Sequence, residues 1–350
     1  MQKKNVKKYA NALFLIVVFA VTMWAVFGGK DLEQILSFIT TANPIYVALG
    51  IACVLLFVFG ESVIIYYLMH TLGIKVKLYR CCLYSFIGFF YSCITPSASG
   101  GQPMQVIAMR KDKIPVAVST VVLAIIAITY KAVLVIIGAV VMIWRPAGLM
   151  LYLKPVEWII YVGMALNVVC IAVLLLLVFR HNTLKAMAFK VLALVNRIKP
   201  LKNMQSHTER LERVFGQYEG AADFYRTHKS VMLNVFAITF LQRFVLFFIT
   251  YLTYISFNLS GHGMPLIVSL QSMISVAVDM LPLPGGMGIS ETMFIDIFTP
   301  IFGENLVLPG MVISRGLAFY TQILICGLMT VVSSFVFKRK KITENTEEVL

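Results

Sequence analysis

The chain has 350 residues, 59% of them hydrophobic and 13% charged, with a formal net charge of +14 and a mean hydropathy of +0.86. No soluble domain core hides that much apolar surface, so a water-soluble globular protein is excluded. The apolar runs lack the period-two alternation of a membrane β-barrel, which leaves an all-α polytopic membrane protein.

In chain order, the first apolar run, 9–28, is long enough to span and has no small-residue cleavage site, so it is expected to remain as a helix. A second span is predicted near 45–73. The apolar stretch 81–108 is interrupted by Thr95-Pro96-Ser97-Ala98-Ser99-Gly100-Gly101-Gln102-Pro103, too rich in Pro and Gly for the middle of a span. Spans near 114–143 and 157–179 follow, then a polar stretch from Arg180 to Lys229. Within it, Leu211, Val214, Phe215, Tyr218, Ala222 and Tyr225 recur at helical spacing, which predicts an amphipathic helix on the cytoplasmic membrane surface or beneath the bundle. A span near 230–257, a second broken segment at 264–302 around Leu283-Pro284-Gly285-Gly286-Met287-Gly288, and a last span near 307–337 complete the pattern.

Each half therefore reads span, span, broken hairpin, span. The expected fold is an inverted-topology repeat of three spans each with one re-entrant broken hairpin per repeat. The first repeat covers 1–150 with its hairpin at 81–111, and the second covers 151–341 with the insertion 180–229 and the hairpin 264–302; a polar tail, 342–350, follows. With the two breaks read as re-entrant, Lys and Arg cluster inside at 3–8, 75–80, 110–113, 180–229 and 338–341, against Lys30, Arg145 and Lys154 outside; were both breaks to cross fully, the 114–179 pair would be inverted and Arg145 and Lys154 would turn inward, with the termini unmoved. That asymmetry places both termini in the cytoplasm. It also explains the net charge through topology and contact with anionic lipids, with no nucleic-acid partner.

The two breaks carry the candidate site. Unwound backbone at membrane depth is tolerated only against protein, water or a ligand, and glycines let it approach a headgroup closely. The register Gly100-Gly101 to Gly285-Gly286 is expected to relate the halves, with Lys131 30 residues after Gly101 and Arg315 29 after Gly286. A basic residue in mid-span costs about 2.5–3.5 kcal/mol and needs a partner or a ligand. Either the two hairpins meet and hold a phosphate-containing headgroup with Lys131 and Arg315, helped by half-helix N-termini, or these cations neutralise buried acids such as Glu61, Asp279, Glu291 or Asp296. Glu61 and Arg243 are candidates to pair across the pseudo-twofold axis, and Glu61 is also a candidate proton relay. Pro96, Ser99, Gln102, Gln105, Pro284, Gly288, Ser290 and Glu291 complete the set, with Ser290 and Glu291 equally suited to capping the returning half-helix.

The six cysteines lie in or beside apolar segments without zinc-type spacing and read as small buried hydrophobes. The histidines show no metal spacing; His181, His207 and His228 fall in the polar loop. With no nucleotide-binding motif either, no cofactor is expected.

Pro96-Ser97-Ala98-Ser99-Gly100-Gly101-Gln102-Pro103 and Leu283-Pro284-Gly285-Gly286-Met287-Gly288-Ile289-Ser290-Glu291 together resemble the two hallmark segments of the lysylphosphatidylglycerol synthase transmembrane, flippase-like family. The resemblance covers nearly the whole chain. It implies the flippase half of multiple peptide resistance factor proteins, which carry aminoacylated phosphatidylglycerol to the outer leaflet of the bacterial cytoplasmic membrane. The partners implied are a phospholipid substrate, anionic membrane lipids, a separate lipid-modifying synthase and a second copy of the chain. After Lys338-Arg339-Lys340-Lys341 too few residues follow for a soluble synthase domain, so lysyltransferase activity is not expected of this polypeptide. The alternatives are a membrane subunit or enzyme of lipid modification, of the phosphatidylglycerol lysyltransferase type, and a carrier of polyprenyl-phosphate-linked sugars.

Overall fold

A computed structural model of the chain describes residues 40–144, 148–180 and 204–333, with isolated positions at 33, 37, 185, 186 and 190. The span predicted at 9–28, the basic clusters at 3–8 and 338–341, His181, and Lys30 and Arg145 lie outside the described residues. Among the described residues the elements are all helical, and five helices are long and apolar enough to cross a membrane.

The first described helix, α1 (Pro44–Thr71), begins where Asn43 accepts a hydrogen bond from the Ile45 N–H and Pro44 occupies the first turn. Its 28 residues rise about 40 Å, enough to cross a hydrocarbon core of about 30 Å with some tilt. Then come α2 (Leu78–Cys93) and α3 (Gly101–Lys111), separated by a short 3₁₀ turn at Pro96–Ala98, and α4 (Val116–Trp144). Helix α5 (Leu149–Phe179) contains a 3₁₀ turn at Lys154–Val156, where Pro155 removes an N–H from the ladder. The amphipathic α6 (Met204–Thr227) and the span α7 (Lys229–Ser256) follow. After them, α8 (Met264–Val278) and α9 (Ile289–Phe302) flank a 3₁₀ turn at Pro284–Gly286. The last described helix, α10 (Val307–Ser333), widens into a π-turn at Gly316–Thr321.

Helices α1 and α7 pack along each other, α2 packs on α3, and α8 packs on α9, so each broken segment folds against itself. The two 3₁₀ turns touch, and the Ser97 hydroxyl donates to the Leu281 carbonyl at 3.3 Å. One large apolar cluster joins α8 and α9 to parts of α5, α7 and α10 through residues such as Met273, Phe294 and Phe298. A second joins α1, α2, α4 and α6 through Ile64, Tyr84, Val121 and Tyr225. Helix α5 is the most lipid-facing span, with 17% of its apolar window buried. Its inner face is fixed by Gly163, where a Cβ would overlap the backbone of Val276 and Ala277, and by Asn167, which donates to the carbonyls of Gly163 and Val276.

Helix α6 packs against α4, α5 and α7. Ala222 and Tyr225 of the expected apolar face are buried, while Val214 is exposed. The Tyr225 hydroxyl donates to the Leu68 carbonyl at 2.7 Å and that of Tyr218 to the Leu177 carbonyl at 3.0 Å.

The turns correct the expected register. Thr95 and Leu283 are both extended, Pro96 and Pro284 start the two turns, and Ser97 (φ 50°) matches Gly285 (φ 57°). Ala98 (φ 53°) likewise matches Gly286 (φ 65°), and α3 begins at Gly101 where α9 begins at Ile289. The equivalent pair is thus Ser97-Ala98 with Gly285-Gly286, not Gly100-Gly101. Glycine was a misleading marker because the first turn carries its positive φ angles on Ser and Ala, while Gly100 is right-handed (φ −83°). Gly101 lacks a side chain for a different reason: a Cβ there would overlap Ser92 and the Gly88 carbonyl across the α2–α3 contact.

Candidate functional site: a charged cavity where two broken helices meet

Behind the touching turns lies a cavity of about 410 Å³, walled by α1, α2, α3, α4, α5, α7, α8 and α10 together with both breaks. Of the expected site residues, Glu61, Ser99, Gln102, Gln105, Lys131, Arg243, Asp279, Gly285, Gly286 and Arg315 line it. Pro96, Gly100, Gly101, Pro284, Gly288, Ser290 and Glu291 do not; they build the turns and helix starts around it.

Three cations reach the cavity, and each finds a carboxylate. Lys131 Nζ lies 2.8 Å from Asp279 Oδ2, and Arg243 Nη2 lies 3.4 Å from Asp279 Oδ1. Asp279 therefore serves two cations at once. Arg243 also stacks over the Tyr130 ring, 3.2 Å from its centroid, and its buried Nε has no hydrogen-bond partner. Arg315 Nε bonds Glu291 Oε1 at 2.9 Å, and its Nη2 donates to the Gly285 carbonyl at 3.0 Å. The π-turn that follows Arg315 carries Phe319, whose ring lies 4.7 Å from the Arg315 guanidinium carbon and fills the space beside Gly285. Neutralisation by acids is real for both Lys131 and Arg315. Asp296 takes no part, being exposed on α9.

Glu61 and Arg243 do not pair with each other. Gln105 Nε2 donates to Glu61 Oε1 at 2.6 Å, and Arg243 goes to Asp279. The reason is steric as well as electrostatic. Gln105 reaches Glu61 through the gap at Gly88 on α2, where any Cβ would overlap the Gln105 amide. No cation among the described residues lies within 4 Å of the Glu61 carboxyl.

The N-terminus of α9 carries its own carboxylate. Glu291 Oε2 accepts from the Gly288 N–H at 2.7 Å and from the Ser290 hydroxyl at 2.8 Å, so these two residues cap the helix. In the first break, Thr95 Oγ1 accepts from the Gly100 N–H at 2.9 Å.

Tyr130, Gln271 and Thr250 also line the cavity and were not singled out from the sequence. Thr250 donates to Gln271 Oε1 at 3.0 Å and shares a hydrogen bond with Ser314 at 2.9 Å. Polar residues inside otherwise apolar spans are the signal that points to them. The six cysteines are unpaired, three buried and three half-buried. Among the described residues no cluster of three or more His, Cys, Asp or Glu is placed to hold a metal ion.

The sequence model of the lysylphosphatidylglycerol synthase TM region matches residues 12–326. The chain belongs to this family. No curated protein matches it. Both breaks, and every side chain of the cavity described above, fall inside the matched family region.

Proposed function

We propose that this chain is a lipid translocase of the bacterial cytoplasmic membrane that admits the phosphate-bearing headgroup of a phospholipid into the cavity between its two breaks. The breaks then act as re-entrant hairpins of two inverted repeats, with both termini cytoplasmic, and rocking of one half against the other exposes the cavity to each leaflet in turn. The observation that carries the reading is the convergence of Lys131 and Arg243 on the single carboxylate of Asp279 in the wall of the cavity. Two cations on one anion leave a local excess of positive charge in a low-dielectric site, the condition that favours a phosphodiester. A volume of about 410 Å³ also falls in the range of roughly 300–1,000 Å³ common for small-molecule sites.

Leaflet exchange of acyl-labelled phosphatidylglycerol and lysyl-phosphatidylglycerol in liposomes tests the reading. The full chain is expected to speed exchange over protein-free liposomes, and Lys131→Ala is expected to slow it by at least tenfold, the loss of one charge-assisted contact. Exchange by folded protein no faster than in empty liposomes overturns translocation of these lipids.

A further inference from the structure

The charges around the cavity are unbalanced in two places of opposite sign. Arg315 and Glu291 form a one-to-one pair. Lys131 and Arg243 share Asp279, which leaves one positive charge uncompensated, and the Arg243 Nε beside it is buried with no partner. Glu61 is the reverse case: an acid on the wall of the same cavity, bonded to the neutral amide of Gln105 and paired with no cation among the described residues. Beside it the Ser85 hydroxyl is buried and within reach of the same carboxyl. A buried charge in a low-dielectric site is normally paired, and a buried polar atom is normally hydrogen-bonded. Here both shortfalls open onto one volume, and the unpartnered Arg243 Nε marks the positive one.

We infer that the cavity selects a zwitterionic headgroup, a phosphodiester carrying a single ammonium, with the phosphate on Lys131 and Arg243 and the ammonium on Glu61. This inference rests on reading the cavity as a headgroup site. Phosphatidylethanolamine is the simplest lipid with that pattern. A plain anionic headgroup such as phosphatidylglycerol satisfies the cations and leaves Glu61 unpaired. A lysyl headgroup brings two ammonium groups to one free carboxylate. Asp279 and Glu291 are held by the protein's own cations, so neither is available for the second amine. Glu61 is thus the specificity-determining residue, and Gln105 is a positioning residue that fixes the carboxyl through the gap at Gly88.

The full chain, reconstituted in liposomes, is to be assayed for exchange of acyl-labelled phosphatidylethanolamine, phosphatidylglycerol and lysyl-phosphatidylglycerol, wild type against Glu61→Gln. The amine must stay unlabelled, so the probe belongs on the acyl chain. Wild type is expected to prefer phosphatidylethanolamine, and Glu61→Gln to reduce its rate relative to phosphatidylglycerol by about tenfold, the size of one charge-assisted contact. An unchanged ratio in the folded variant, or a wild type that favours either other lipid, overturns the inference while leaving translocation standing. Native mass spectrometry of the wild-type chain with an equimolar mixture of the three lipids gives a second readout that needs no variant. Preferential retention of phosphatidylethanolamine supports the inference even where no lipid is moved, which would sink translocation alone, and equal retention overturns it.

Discussion

At the scale of single residues, Asp279 bears the heaviest electrostatic duty in the protein, since two cations from different spans depend on it. Breaking a buried pair from one side leaves charge without compensation, a loss of about 3–5 kcal/mol. Asp279→Asn is therefore expected to lower the thermal midpoint of detergent-solubilised protein sharply. Adding Lys131→Met to that variant is expected to recover part of the loss, and the difference between the two midpoints measures it. The partner choice behind this network was not legible in the sequence. Lys131, Arg243, Arg315, Glu61, Asp279 and Glu291 all announce themselves as ionisable residues in apolar stretches. Which acid meets which base depends on how each helix is rotated. The apolar residues of helix α1 are spread evenly around its axis, so its pattern does not say which neighbour Glu61 faces. Tyr130 was equally silent, because an aromatic residue in an apolar span is unremarkable until Arg243 is seen to lie on its ring.

Whole elements were easier to foresee. Spans follow from runs of about 20 apolar residues, and α1, α4, α7 and α10 lie within a few residues of where hydropathy puts them, while α5 starts at Leu149, well before the 157–179 expected. Proline and glycine also marked both breaks, since neither residue sustains a helix interior at these positions. What the residues concealed was how the first break is built: Ser97 and Ala98 adopt left-handed angles that the second break assigns to glycine. A left-handed residue with a Cβ carries about 1–2 kcal/mol of strain, partly offset in a glycine variant by the greater freedom of its unfolded chain. Ala98→Gly is accordingly expected to stabilise the protein by up to about 1 kcal/mol, read as a higher thermal midpoint with helical content unchanged. The docking of α6 is a second test at this scale. Tyr225→Phe removes the hydroxyl that reaches the Leu68 carbonyl, a loss of about 1 kcal/mol, and limited proteolysis within 204–227 is expected to quicken while the spans stay protected.

Across the molecule as a whole, the cations and carboxylates around the cavity are equal in number: Lys131, Arg243 and Arg315 against Glu61, Asp279 and Glu291. That balance has a consequence for energetics at the level of the cell. A membrane potential acts on net charge at about 2.3 kcal/mol per elementary charge per 100 mV. A zwitterion moving through a site balanced in this way carries no net charge across the bilayer, so the voltage does no work on it. Imposing a potassium diffusion potential on the liposomes is expected to leave phosphatidylethanolamine exchange unchanged and to bias phosphatidylglycerol, whose headgroup is a monoanion. A translocase with this charge plan would run alike in an energised and a de-energised membrane, and the lipid gradient alone would set the direction of net flow.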